Sequence, residues 1–339
     1  MLDTTHSDPL LELRDLDVSL GKEKRIVQSM NLNLNRGEVV AVIGESGSGK
    51  SVTALAATRL LPAALKITRG QVLFNGQDLL GQSERQLNAV RGGEIGMLFQ
   101  QPQAMLDPSS RVHAQISEPL RRHRGISGRA AFREVVALLE SVGIPSPERR
   151  AMAFPHELSG GMAQRVMIAA ALAGQPKLLI ADEPTTALDV TVQTQILRLL
   201  AEKRREHNLA ILLITHDFSV VSAFADRVVV MYGGRVMEEG PTDELMREPQ
   251  HPYTRALIRC SLLQPDETGL LPVISGSSTR AIDLVQGCCF APRCTEVLAS
   301  GAQTPCKTQR PALTLGADGR KTCCHVCHPE LCDHSEALS

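Results

Sequence analysis

The apolar positions of this chain come in short blocks whose spacing changes along its length. Leu10 to Leu20 reads as a strand, and the turn Arg36-Gly37-Glu38 feeds the apolar run Val39 to Ile43, short and β-branched as a buried strand should be. A helix is predicted from Lys50 to about Leu61, stopped by Pro62. Gly70 to Gly76 and Ile95 to Phe99 read as further strands. His113 to about Val142 has a helical pattern, with Arg121, Arg122 and Arg124 on a solvated turn. The second half alternates more regularly. Helices Gly160 to Ala173, Thr191 to Glu206 and Phe218 to Ala225 separate strands Leu178 to Ala181, Ala210 to Ile214 and Val228 to Met231. Strands separated by helices predict a parallel sheet covered on both faces. Tyr232-Gly233-Gly234-Arg235 signals a hairpin. After Pro249 the order weakens among Pro, Gly, Ser and Cys, which places a boundary near residue 250.

Composition narrows this picture. With 339 residues, 43% hydrophobic and 22% charged, the chain can bury a sizeable core and form about two domains, so disorder is excluded as its main description. Its 36 Lys and Arg against 37 Asp and Glu leave a net charge of −1. A nucleic-acid partner is therefore not expected, because phosphate neutralisation needs a surplus of basic residues. The longest apolar stretches, Val39 to Ile43 and Val166 to Ala173, fall far short of the ~20 residues that span a bilayer. Met1 to Leu13 is acidic and lacks an apolar h-region, so no secretory signal is expected and the reducing cytosol is the expected compartment. The nine cysteines are lopsided: none lies in residues 1 to 259, one is Cys260, and eight lie between Cys288 and Cys332.

Candidate chemistry begins at Gly44-Glu45-Ser46-Gly47-Ser48-Gly49-Lys50-Ser51, which fits the phosphate-loop pattern G-x-x-x-x-G-K-[ST] between a predicted strand and a predicted helix. Glycines let backbone N–H groups approach phosphate oxygens, the helix N-terminus adds its positive dipole end, Lys50 supplies a point charge, and Ser51 offers a hydroxyl to Mg²⁺. A chance match to four specified positions arises in roughly one such chain in a hundred, and the strand and helix context lowers that further. The strand Leu178 to Ala181 runs into Asp182-Glu183. Alone, such a pair marks a solvated loop start or a cap. Beside a phosphate loop, Asp182 is placed to hold Mg²⁺ through its water shell and Glu183 to polarise the water that attacks a γ-phosphate. Leu158-Ser159-Gly160-Gly161-Met162 opens a helix, either as a capped start after Pro155 or as a second cradle of free N–H donors.

Taken in order, the phosphate loop, L-S-G-G-M, Asp182-Glu183, Ala187-Leu188-Asp189 and His216 resemble the ATP-binding cassette of ABC transporters over about residues 10 to 250. The resemblance implies an α/β fold: a RecA-like P-loop ATPase core, an antiparallel β subdomain near the N-terminus and an α-helical subdomain over roughly 101 to 165. It implies that Gln100 is the Q-loop residue touching Mg²⁺ or water, that His216 contacts the γ-phosphate, and that Ser159, Gly160 and Gly161 serve the ATP of a partner subunit, so that two cassettes clamp two nucleotides. One departure concerns adenine. The family stacks the base on an aromatic residue, yet Asp17 to Val27 has none, and Leu20 is the nearest candidate. Weaker or less base-selective nucleotide binding is expected, with GTP competing better than in an aromatic-bearing cassette.

Beyond residue 250, His251-Pro252-Tyr253-Thr254-Arg255-Ala256-Leu257 and Gly287-Cys288-Cys289-Phe290-Ala291-Pro292-Arg293-Cys294 resemble the C-terminal extension of dipeptide and oligopeptide permease ATP-binding subunits. That branch implies a cassette over 1–250 and a small Cys-rich extension over 251–339. The extension implies a possible [4Fe-4S] cluster on Cys288, Cys294, Cys306 and Cys324, thiolates being apt ligands for it. Cys323, Cys327 and Cys332, with His325, His328 and His334, lie beyond that pattern. Cys324-x-x-Cys327 could join a Zn²⁺ site instead, and a metal-free extension is the third possibility.

The function so implied is an ATP-hydrolysing subunit that energises a di- or oligopeptide importer at the cytoplasmic face of the bacterial inner membrane. Its partners would be a second homologous ATP-binding subunit, two permease subunits and, through them, a periplasmic substrate-binding protein. The same machinery could import nickel, haem or another small solute. A soluble ABC ATPase of DNA repair or translation is the distant alternative; such chains carry a coiled-coil insertion or tandem cassettes, and this sequence has neither.

Overall fold

Runs of valine, leucine and isoleucine form the strands that carry the candidate chemistry. The computed structural model describes residues 8–21, 24–100, 105–186, 189–262, 269–276, 286–299 and 305–327. Contacts group these into two units: one made of the described parts of 1–12 with Asn33–Val39 and Leu73–Ile214, the other of Leu13–Leu32, Val40–Val72 and the described parts of 215–339.

In the first unit the strands Ile95–Leu98, Leu178–Asp182 and Ala210–Thr215 pair in parallel, with Ile95 opposite Leu178 and Leu178 opposite Ala210. Every residue of Leu178–Asp182 is buried, the continuous burial expected of an interior parallel strand. Helices Val112–Arg124, Gly128–Ser141, Pro147–Ala151 and Gly160–Leu172 pack on one another in the same unit. Their buried positions recur every four residues, at Val112, Ile116 and Leu120 and again at Ala131, Val135 and Leu139, so each helix presents one apolar stripe. The single helical pattern expected over His113 to Val142 is thus two helices, divided where Gly125 turns to φ +67°. Arg121, Arg122 and Arg124 lie in the last turn of the first helix, where the helix dipole favours cations. Arg124 is half-buried and donates to Glu134 at 2.6 Å.

In the second unit the strands Lys24–Leu34, Leu11–Leu20 and Leu65–Phe74 lie side by side in that order. Lys24–Leu34 has no counterpart in the sequence reading, and Leu65–Phe74 begins five residues before the expected Gly70. The strand Val39–Ile43 pairs in parallel with Arg227–Tyr232, Ile43 opposite Val230. Arg227–Tyr232 then turns through Gly233-Gly234, the expected hairpin, into the antiparallel strand Arg235–Pro241. The short strands Lys321–Thr322 and Thr314–Leu315 extend this edge, Thr322 opposite Glu238. The helix after the phosphate loop, Lys50–Ala57, stops short of Leu61 because Arg59 adopts φ +53°. Past residue 250, Pro252–Ser261 forms a helix capped by His251, whose Nδ1 accepts the Tyr253 N–H at 3.0 Å. Burial pushes the His251 imidazole down to about 3, so it remains a neutral acceptor. Among the described residues no helix is long and apolar enough to cross a membrane.

Candidate active site

The phosphate loop sits between the buried strand Val39–Ile43 and the helix Lys50–Ala57, as the motif requires. Gly44 is fixed by close approach: a Cβ there would lie 2.1 Å from the Met231 carbonyl oxygen. Gly49 caps the helix at φ +100°, a region that side-chain-bearing residues rarely adopt. Inside the loop, Ser48 N–H donates to Glu45 O at 3.2 Å and the buried Lys50 Nζ donates to Gly44 O and Glu45 O at 2.8 and 3.0 Å. The Ser48 hydroxyl is buried with no hydrogen-bond partner, an anomaly in a packed protein that a phosphate oxygen would resolve. Helix dipole, lysine and donor-rich backbone together suit a polyphosphate. Ser51 is exposed at the first helical turn, and Leu20, at the end of its strand, is 44% exposed.

In the other unit, Asp182 ends the strand Leu178–Asp182 as a buried carboxylate, and Glu183 follows with φ +48°. That left-handed backbone is costly for a glutamate and is held by the Glu183 N–H donating to Ile214 O at 2.8 Å. Glu183 Oε2 accepts from Gln100 Nε2 at 2.8 Å and from Thr186 Oγ1 at 2.8 Å. Gln100 and Glu183, 83 residues apart in sequence, are therefore brought into direct contact. The hydroxyl, carboxylate and amide oxygens of Ser51, Asp182 and Gln100 are hard donors of the kind Mg²⁺ takes. Ser159 caps the helix Gly160–Leu172, accepting from Met162 N–H at 3.3 Å, while Gly160 has open space where a Cβ would be and Gly161 lies against Val192. The cap expected of this segment is present, and its glycines stay at the free helix end. Asp189 caps Val190–His207 through the Val192 N–H; Ala187 and Leu188 lie outside the described residues. His216 is exposed just beyond the strand Ala210–Thr215.

Sequence reasoning missed a set of residues that act on the phosphate loop within the second unit. Glu45 N–H donates to the Tyr253 hydroxyl at 2.9 Å, and the Glu45 carboxylate receives both outer nitrogens of Arg293 at 2.6 and 3.0 Å. Tyr253 packs on Tyr232 and Phe290 with ring centroids 4.7 and 5.2 Å apart. The signal lay in the two C-terminal motifs, which marked a family branch but not a contact nearly 250 residues back along the chain.

The four cysteines proposed as cluster ligands, Cys288, Cys294, Cys306 and Cys324, line one cavity together with His251 and His325. They are not assembled as a ligand set: among the described residues no three His, Cys, Asp or Glu side chains are grouped to hold a metal ion, which applies equally to the Zn²⁺ alternative at Cys324 and Cys327. Of the four, Cys324 is engaged with a thiol outside the set. Cys327 hydrogen-bonds Cys324 and holds it below the usual thiol range, Cys323 donates to Pro311 O at 3.2 Å, and burial raises Cys288 well above it. Cys332, His328 and His334 lie outside the described residues.

Two family models match the chain. That of the ABC transporter covers residues 27–186, and that of the oligopeptide/dipeptide transporter C-terminal region covers residues 237–300. The oligopeptide transport ATP-binding protein OppD of Bacillus subtilis is 51% identical over 253 residues, 74% of this chain and 71% of that protein. A probable D,D-dipeptide transport ATP-binding protein, DdpD of Escherichia coli, is 44% identical over 321 residues, 94% of this chain and 96% of its own. Among solved structures, the dimeric post-hydrolysis state of the ATP-binding cassette MJ0796 with ADP and Pi superposes at a TM-score of 0.61 with 30% identity, covering 68% of this chain and 98% of that one. The phosphate loop and the strand-end carboxylates fall within the first match, a relative is matched over nearly the whole length, and the chain belongs to the ABC transporter ATP-binding subunits of the oligopeptide/dipeptide branch.

Proposed function

We propose that this chain hydrolyses MgATP to drive peptide import, closing against a second, homologous ATP-binding subunit. Two membrane-spanning permease subunits would carry the cargo, handed on by a periplasmic binding protein, with this chain at the cytoplasmic face of the inner membrane. The observation that carries the reading is Glu183, a carboxylate on strained backbone after the buried Asp182, in contact with Gln100. A half-buried carboxylate held in this way suits a base that takes a proton from water. The backbone of Gly44, Glu45, Ser46, Gly47, Ser48 and Gly49, with Lys50, takes the phosphates. Ser51, Asp182 and Gln100 would hold Mg²⁺, directly or through water, and the bound ion would offset phosphate charge. His216 touches the γ-phosphate, and Ser159, Gly160 and Gly161 face the nucleotide held by the partner. A pair of half-sites closes only when ATP supplies contacts to both, and hydrolysis removes them.

The transport relatives support peptide as the cargo class, and the two family-model matches support a cassette over 1–250 followed by an extension over 251–339. The four cysteines that line one cavity are the candidate ligands of an iron–sulfur cluster in the extension, although among the described residues they are not grouped to hold a metal ion as they stand. Protein purified without oxygen is expected to carry iron and acid-labile sulfide; zinc without sulfide, or neither, overturns that assignment. For the activity, the purified complex with its permeases should show ATPase stimulated by peptide. Stimulation by metal or haem but by no peptide would overturn the cargo, and co-purification with ribosomes in place of permeases would overturn the importer.

A further inference from the structure

We infer that Arg293 and Tyr253 are positioning residues for nucleotide binding, clamping the phosphate loop through Glu45 from the C-terminal region. The inference rests on the ATP-binding reading above. A phosphate loop works only when its N–H groups converge, yet Gly44, Gly47 and Gly49 give this loop wide conformational freedom. Glu45 is the loop's one long side chain outside Lys50, and both its ends are taken. Its N–H meets the hydroxyl of the fully buried Tyr253, and its carboxylate meets the Arg293 fork, whose side chain is only 6% exposed.

Arg293 is itself fixed. Nε donates to Ser275 O at 2.8 Å, Nη1 to Tyr232 Oη at 3.1 Å and Nη2 to Ile274 O at 2.9 Å, besides the two bonds to Glu45. A guanidinium has five N–H donors, and these five bonds occupy them all. Its carbon also stands 5.6 Å from the Tyr232 ring centroid. So many bonds for one side chain hold the carboxylate in a single place, which a loose surface ion pair would not do. The charge matters as well. A carboxylate one residue into a phosphate cradle repels the ligand, and the Arg293 cation offsets it. Loss of the clamp lowers the fraction of loops competent to bind and so raises the apparent Kd by that factor, while the chemistry of the bound state is untouched.

The test is MgATP titration and steady-state ATPase on the full-length chain and its variants. Arg293→Gln is expected to raise Kd and KM about tenfold with kcat within about twofold, the loss of a charge-assisted bidentate pair. Arg293→Lys recovers part of this, having the charge without the fork. Glu45→Gln also weakens binding, and the double variant with Arg293→Gln is no weaker than Arg293→Gln alone, because both sever one contact. Should Arg293→Gln fail to fold, Tyr253→Phe leaves the ring packing in place and removes only the acceptor of the Glu45 N–H; a Kd rise of about threefold at unchanged thermal stability is expected. Unchanged affinity in the folded variants, or single effects that multiply in the double, overturns the clamp. An unsubstituted chain that does not bind MgATP overturns the ATP reading itself, which the variants alone would not do.

Discussion

Replacing Glu183 by glutamine is expected to cut ATP hydrolysis by about 10²- to 10⁴-fold, the usual contribution of a general base. The substitution is nearly isosteric, and the amide oxygen can still accept from Gln100 and Thr186, so the φ +48° turn and the bond of its N–H to Ile214 O should survive. What is lost is the ability to take a proton. MgATP should therefore bind at least as tightly as before, because one negative charge has gone from beside the γ-phosphate. In the proposed cycle hydrolysis releases the closed pair, and on that reading the variant should accumulate as an ATP-bound dimer with a homologous subunit. Single-turnover hydrolysis and gel filtration with ATP measure the two effects. Undiminished turnover would remove Glu183 from the role of base and leave Gln100 bound to a merely structural carboxylate.

The central strands and the phosphate loop were legible because local chemistry determines them. Val39–Ile43 and Leu178–Asp182 are buried on both faces, so their apolar runs are unbroken and their ends are marked by glycine or by carboxylates. The strand Lys24–Leu34 was not read, although Met30, Leu32 and Leu34 alternate with Asn31 and Asn33. Asparagine is poor in strands, so the local propensity of Asn31 and Asn33 argues against the alternation that the strand in fact follows. The helix break is marked in the sequence by Gly125 and Ser127-Gly128 and by a gap in the apolar stripe between Leu120 and Ala131, and Gly125 takes the left-handed φ that makes the turn.

The candidate site divides in the same way. Asp182, Glu183 and Lys50 stand beside their own motifs, whereas the contact of Gln100 with Glu183 depends on strand order, which no local spacing encodes. The fixing of Glu45 by Arg293 is further still from what a motif can carry. The cysteines mark the opposite limit: their count and clustering were plain in the sequence, but how thiols share hydrogen bonds with Pro311 O and with each other belongs to packing.

Gly44→Ala is expected to abolish MgATP binding at working concentrations, an affinity loss of about 10²-fold or more, and to cost about 3 kcal/mol of stability. The added methyl would stand 2.1 Å from Met231 O and 2.9 Å from Ser48 Oγ. The serine can rotate away. The carbonyl cannot, because Met231 lies in the strand Arg227–Tyr232, held in the antiparallel ladder opposite Val236. Relief must come from the loop, which then lifts from the strand end and turns its N–H groups away from the phosphates. Gly47→Ala provides the control. Gly47 also has positive φ, +78°, but nothing lies within 4 Å of its would-be Cβ, so only backbone strain of about 1 kcal/mol applies. Thermal melts of the two variants without nucleotide separate collision from strain. Equal destabilisation would mean that close approach to Met231 does not fix the loop, and that Gly44, like Gly47, is needed only for its backbone angle.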